Sequence, residues 1–176
     1  ITRRFSDPAE IAGALPPNHE VWDNLLQSFA GSGRADLALA LAHRLASQSS
    51  DDTTRRKALT WVAKMAAASG DWTRACQEAT SLVNQGGPAA AYVVLVRCDL
   101  RSNDAKRALA RTEDARREHP KDTELMFITA EVLIEHRVEL GLQDDLRAWR
   151  ALVDPLLETL KPYAIRHPGL RHRYYM

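Results

Sequence analysis

The sequence predicts an all-α protein built from antiparallel helix pairs, and three observations carry that expectation. Three segments share one layout: an apolar helical stretch, a tight turn, a small-residue helical stretch and a breaker. The small residue after the turn recurs at Ala38, Ala75 and Ala108, close to the roughly 34-residue unit of a two-helix repeat. Strand signals are weak, because the longest β-branched and aromatic run, 91–96, follows Pro88 and continues as helix through Arg97, Leu100 and Arg101. Repeat arrays build binding surfaces and rarely build active sites, so protein binding is the mode of action this layout implies.

The elements follow in order. Ser6, Asp7 and Pro8 form a helix start, with a capping side chain ahead of a proline in the first turn. Ile11, Ala12 and Leu15 give that helix an apolar side, and Pro16-Pro17 ends it. We expect 1–17 to be the second half of an earlier repeat. Asn18 or His19 opens a helix to about Ala30 that carries Trp22, Leu25, Leu26 and Phe29. Gly31-Ser32-Gly33 makes the turn, and a helix from about Arg34 to Ser47 carries Ala38, Ala42 and Leu45. Asp51 or Asp52 caps the next helix, about 54–69, with Leu59, Val62, Ala63 and Ala66; Gly70-Asp71-Trp72 turns into a helix to about 84 with Ala75, Ala79 and Leu82. Gly86-Gly87 stops that pair. The third pair covers about 88–101 and 104–118, turning at Asn103-Asp104 and closing at His119-Pro120.

From Asp122 the pattern loosens. Thr123 to Arg137 reads as a helix, Val138 to Gln143 as a longer connection, and Asp144-Asp145 as the cap of a helix with Leu146, Trp149, Leu152 and Val153. Pro155 kinks that helix or starts another through Leu160. Terminal repeats are atypical because they close the core to water, and 121–176 fits that role.

These residues resemble the tetratricopeptide-repeat family over about 18–135, plus the half repeat. The resemblance implies an α-solenoid of about three helix pairs, 18–120, with capping helices, in a single domain over 1–176. Asn103 stands where that family usually has glycine, Asp99 where it usually has an aromatic, and the spacing drifts from 37 to 33 residues. An irregular helical bundle or another α-solenoid is the competing all-α reading.

By the same resemblance, a peptide or partner helix would lie in a concave groove lined by the first helix of each pair. On this phase the groove shows Asp23, Asn24 and Gln27, then Lys57, Trp61 and Lys64, then Arg97 and Arg101, then Phe127, Glu131 and Glu135. Its centre is basic, which favours acidic segments or a C-terminal carboxylate. Asp23 and Thr60 stand where the carboxylate-clamping subtype needs cations or amides, so binding of a chaperone tail is not expected. The alternative reading of the same residues is a set of solvated charges on helix faces.

Composition narrows the rest. The chain has 176 residues, enough for one core, and a net charge of +1, which gives no global pull toward nucleic acid or an anionic membrane. No stretch approaches the ~20 apolar residues of a membrane-spanning helix. Cys76 and Cys98 are expected as small buried apolar residues. The six histidines, among them His43, His119 and His136, form no ligand set with the cysteines, and no catalytic triad or phosphate loop is suggested, so neither an enzyme nor a cofactor is expected. The paired acids Asp51-Asp52 and Asp144-Asp145 are explained as caps. The tail from Lys161 carries Arg166, Arg171 and Arg173 interleaved with Tyr163, Tyr174 and Tyr175; such a mixture can grip nucleic acid, but a capping role is favoured.

The expected function is thus a non-enzymatic scaffold that binds a peptide or partner protein, with Lys64, Arg97 and Arg101 as contacts and Trp61 and Phe127 as apolar anchors. Alternatives are a secretion-type chaperone, which predicts a homodimer, and an interaction module excised from a larger enzyme or regulator, suggested by the start at Ile1. The alanine and arginine content suggests a bacterial source, and a cytoplasmic location is the expectation.

Overall fold

The computed structural model describes residues 21–166. The half repeat expected at 1–17, its histidine neighbour His19 and the tail residues 167–176 lie outside them. Eight α-helices and a closing 3-10 helix fill the described residues, with no strand among them. They are α1 (Val21–Gly31), α2 (Ala35–Gln48), α3 (Asp52–Ala68), α4 (Trp72–Val83), α5 (Ala89–Arg101), α6 (Ala105–Glu118), α7 (Thr123–Glu135), α8 (Leu146–Leu160) and the 3-10 helix Lys161–Arg166. Backbone contacts divide the chain into two compact units, Ile1–Val94 and Leu95–Met176.

The turns between paired helices explain why the helices stop and restart where they do. After α1, the Gly33 N–H donates to Ala30 at 3.2 Å and the Arg34 N–H to Phe29 at 2.9 Å. After α3, Gly70 donates to Ala67 at 3.1 Å and Asp71 to Ala66 at 2.9 Å; after α5, Asn103 donates to Leu100 and Asp104 to Asp99, both at 3.0 Å. All three are Schellman closures, which require one residue in the left-handed region. Gly33 (φ 76°), Gly70 (φ 87°) and Asn103 (φ 56°) are those residues. Asparagine tolerates this conformation better than other side chains, which is why Asn103 can stand in the family's glycine position. The same closure recurs at Gly141, which donates to Val138, with Leu142 donating to Arg137.

After the second and third of these turns the next residue caps the following helix, whereas Arg34, after the first, makes no side-chain cap bond. Asp71 accepts from the Arg74 N–H at 3.1 Å and Asp104 from the Arg107 N–H at 3.0 Å. Asp51, Asp122 and Asp145 do the same for Thr54, Leu125 and Ala148, at 2.7, 2.9 and 2.8 Å. An aspartate cap contributes about 1 kcal/mol, and its charge favours the positive end of the helix dipole. Bonds from the Thr54 hydroxyl and backbone hold the Asp51 carboxyl below its usual range. Gly70→Ala is expected to lower stability by about 1 kcal/mol, because alanine in the left-handed region is strained. Asn103→Gly should be neutral or slightly stabilising. Urea unfolding of the two variants beside wild type checks both expectations.

In the first unit, α2 packs against α1 and α3, and α3 against α4. Trp22, Leu26, Ala38, Leu41, Ala42, Leu45, Ala58, Val62 and Met65 form one buried cluster. Ala38 and Ala75 are wholly buried, as expected of the small residues that let the second helix of a pair approach the first. Thr60 is buried too, and its hydroxyl is satisfied by the Arg56 carbonyl one turn back.

In the second unit, α7 packs against α6 and α8. Ala130, Leu133, Val153, Leu156 and Leu160 form its terminal core, edged by Leu109, Met126, Phe127 and Trp149. Helix α8 runs unbroken through Pro155 to Leu160. The connection before it is fastened by side chains. Arg137 donates from Nε to the Leu142 carbonyl at 2.9 Å and stacks over the Trp149 ring at 5.0 Å, while the Trp149 indole N–H donates to the Leu133 carbonyl at 2.8 Å.

Asp99 accounts for the other departure from the family pattern. It is 4% exposed and bonds through one carboxylate oxygen to Arg111 at 2.6 Å and through the other to Arg107 at 3.0 Å. An ion pair between α5 and α6 therefore occupies the position expected to hold an aromatic. Arg107 and Arg111 are one turn apart on α6, so both can reach the same carboxylate.

Candidate functional site

Two side-chain contacts set the register of neighbouring pairs in the first unit. The Trp61 indole N–H on α3 donates to Asp23 on α1 at 3.2 Å, joining the first helices of the two pairs. His43 on α2 contacts the Arg74 guanidinium on α4, joining the second helices. First helix beside first helix and second beside second is the arrangement that the three-segment layout implied.

The Asp23–Trp61 bond brings the expected contact residues of this unit together. Asn24 and Gln27 are exposed on α1, beside and one turn beyond Asp23. Lys57 is exposed on α3 one turn before Trp61, and Lys64 follows three residues after it. Trp61 is half-buried against the core cluster, with the Lys64 ammonium 5.7 Å from its ring centroid. Such a cation–π contact is worth about 0.5–1 kcal/mol near a surface. The face thus combines two amides, one aromatic and two cations, with Asp23 engaged by the indole and Lys64 over the ring.

In the second unit, Arg97 and Arg101 are exposed one turn apart on α5. On α7, Phe127 and Glu131 are half-buried one turn apart and Glu135 is exposed. Phe127 packs against the terminal core, so its ring supports the helix as much as it offers a surface. The sequence-based list leaves out His43, Arg74, Arg107 and Arg111, which lie on second helices and pair with other helices.

Cys98 is buried as expected and Cys76 is half-buried, but neither is a free thiol. Both Cys76 and Cys98 are disulfide-bonded, and the chain has no free thiol. Nothing in the sequence around either one signals a disulfide, so only geometry could reveal that state. Among the described residues there is no cluster of three or more His, Cys, Asp or Glu side chains able to hold a metal ion. No described helix is long and apolar enough to cross a membrane.

No protein-family model matches the chain. No curated protein matches it either. Among solved structures, it is similar to a thermophilic TPR protein of Thermus thermophilus, at 23% identity, covering 86% of this chain and 94% of that one, with a TM-score of 0.57. With the recurring Schellman turns and the like-to-like helix contacts, this shows an all-α helical-repeat fold of the tetratricopeptide type.

Proposed function

We propose that the chain is a non-enzymatic interaction module that binds an extended peptide or partner protein on the faces of its first helices. In the first unit the contacts would be Asn24, Gln27, Lys57, Trp61 and Lys64. In the second they would be Arg97, Arg101, Phe127 and Glu131. The observation that carries this reading is the Asp23–Trp61 hydrogen bond. It aligns α1 and α3 so that the exposed amides of Asn24 and Gln27 share a surface with a half-exposed aromatic and two cations. Amides suit the alternating donors and acceptors of a peptide backbone. Trp61 suits an apolar side chain, and Lys57 and Lys64 suit acidic ones. Aromatic anchors in such surfaces commonly carry about 2 kcal/mol or more of the binding energy.

Selection from a random dodecapeptide display library tests this. Peptides enriched on wild type should lose at least tenfold in affinity on Trp61→Ala and on Lys57→Glu/Lys64→Glu, with helicity unchanged by circular dichroism. Selected peptides that bind these variants as tightly as wild type would refute the assignment of the face. The disulfide-bonded state of Cys76 and Cys98 favours an oxidising compartment over the cytoplasm, since such bonds persist where thiols are not kept reduced.

A further inference from the structure

We infer that the His43–Arg74 contact is an acid-released latch between the first two helix pairs. His43 on α2 meets Arg74 on α4 through its Nε2 atom. A guanidinium can only donate, so the ring nitrogen facing it must be the unprotonated acceptor. Protonating the ring turns a hydrogen bond into a contact between two cations. The latch therefore holds while the imidazole is neutral and opens when it is charged.

The surroundings reinforce this requirement. Partial burial, then the Arg74 charge, lower the proton affinity of His43 below the usual histidine value, and Glu78 on α4 acts weakly the other way. The remaining charged groups of the packed helices are placed elsewhere. On α1, Asp23 accepts from Trp61; on α3, Asp52 pairs with Arg55, Lys64 sits over Trp61, and Arg56 and Lys57 are exposed. On α2 itself, Asp36 pairs with Arg34 and Arg44 is the ring's chain neighbour. Arg74 is in turn fixed at its backbone by the Asp71 cap, so its side chain starts from a held position.

The sign follows from the two states. A histidine with lowered affinity in the fold binds fewer protons there than in the unfolded chain, so acid favours unfolding. The stabilisation is present above the unfolded value near 6.5. It is lost as pH falls from there through the lower folded value. Helix α3 packs against both latched helices, so opening the latch loosens the element that carries Lys57, Trp61 and Lys64. The latch belongs to the fold and stands whether or not that face binds peptide.

Thermal melts of the full chain between pH 8 and 5, on wild type, His43→Gln and Glu78→Gln, test the inference. Glutamine keeps an acceptor for Arg74 and cannot be protonated. Between pH 7.5 and 5, the melting temperature of wild type should fall by at least about 2 °C more than that of His43→Gln. Glu78→Gln should steepen the fall. Parallel profiles for wild type and His43→Gln would overturn the latch. Should His43→Gln fold poorly, a ring titration of wild type by NMR decides: a midpoint below 6.5 supports the latch, and a midpoint at or above it refutes it.

Discussion

Asp99→Ala is expected to destabilise the second unit by about 3–5 kcal/mol, the range for removing one partner of a buried ion pair. The Asp99 carboxylate is almost wholly enclosed, and Arg111, its 2.6 Å partner, has a side chain only 22% exposed. Alanine leaves that guanidinium without its counter-charge in a place water reaches poorly. Arg107 differs, because its side chain is 63% exposed and regains water when the bond is lost. Arg107→Ala is therefore expected to cost no more than about 1 kcal/mol. Because the penalty in Asp99→Ala is mainly the stranded Arg111, the effects of Asp99 and Arg111 are expected to be strongly non-additive. The double change Asp99→Leu/Arg111→Met, which removes both charges and keeps volume, should recover much of the loss. Urea unfolding of the three variants measures this. A loss below about 1 kcal/mol for Asp99→Ala, or an equal loss for Arg107→Ala, would contradict the account.

Leu41→Ala should have an effect of similar size in the first unit, about 2–5 kcal/mol. Leu41 is wholly buried, in one cluster with Trp22, Leu26, Ala38, Ala42 and Met65. Ala38 and Ala42 beside it are already small, and Leu45, one turn on in the same cluster, is the large helix neighbour that can shift toward the space. Met65 is the most adaptable side chain in the cluster, and how far it moves sets where in that range the loss falls. The opposite change, Ala38→Leu, is expected to cost about 1–3 kcal/mol by overpacking, because Ala38 lies where two helices meet closely. Both variants losing stability, one by a cavity and one by a clash, is the signature of a core whose small and large positions are both specified. An Ala38→Leu variant as stable as wild type would mean that the small residue after the turn has no packing role. Guanidinium titration followed by circular dichroism separates the outcomes.

The fold was legible because its punctuation is local. Gly33, Gly70 and Asn103 each need the left-handed region within a few residues of an Asp or Arg that restarts the chain, and the observed helix ends lie close to those expected. The alanines at 38, 75 and 108 gave the period without any knowledge of their partners. What stayed hidden depends on contacts between distant residues. Trp61 and Lys64 are close enough in sequence for their stacking to be foreseen, but the bond from Trp61 to Asp23 spans 38 residues and needs the helices already stacked. Asp99 looked like a flaw in the motif, since its partners sit on the next helix; two arginines at one-turn spacing after an acid were the available signal. Lys64 was expected as a ligand contact, and its engagement with Trp61 shows that part of its charge is already used within the chain. The disulfide-bonded state of the cysteines was not legible at all, because nothing in the sequence around 76 or 98 distinguishes a bonded cysteine from a buried thiol.

These threads meet at the first-helix face of the first unit, where binding is proposed. Photo-crosslinking from single positions addresses it most directly. A benzophenone amino acid would be placed at Asn24 or Gln27 on the face, and at Gln77 on α4 as a control, in full-length protein in its native cells. The account expects one discrete partner captured from Asn24 and Gln27, absent from Gln77, and lost when Trp61→Ala is added. Capture of the same partner from Gln77 with none from Asn24 or Gln27 would contradict it and move the binding surface to the second helices.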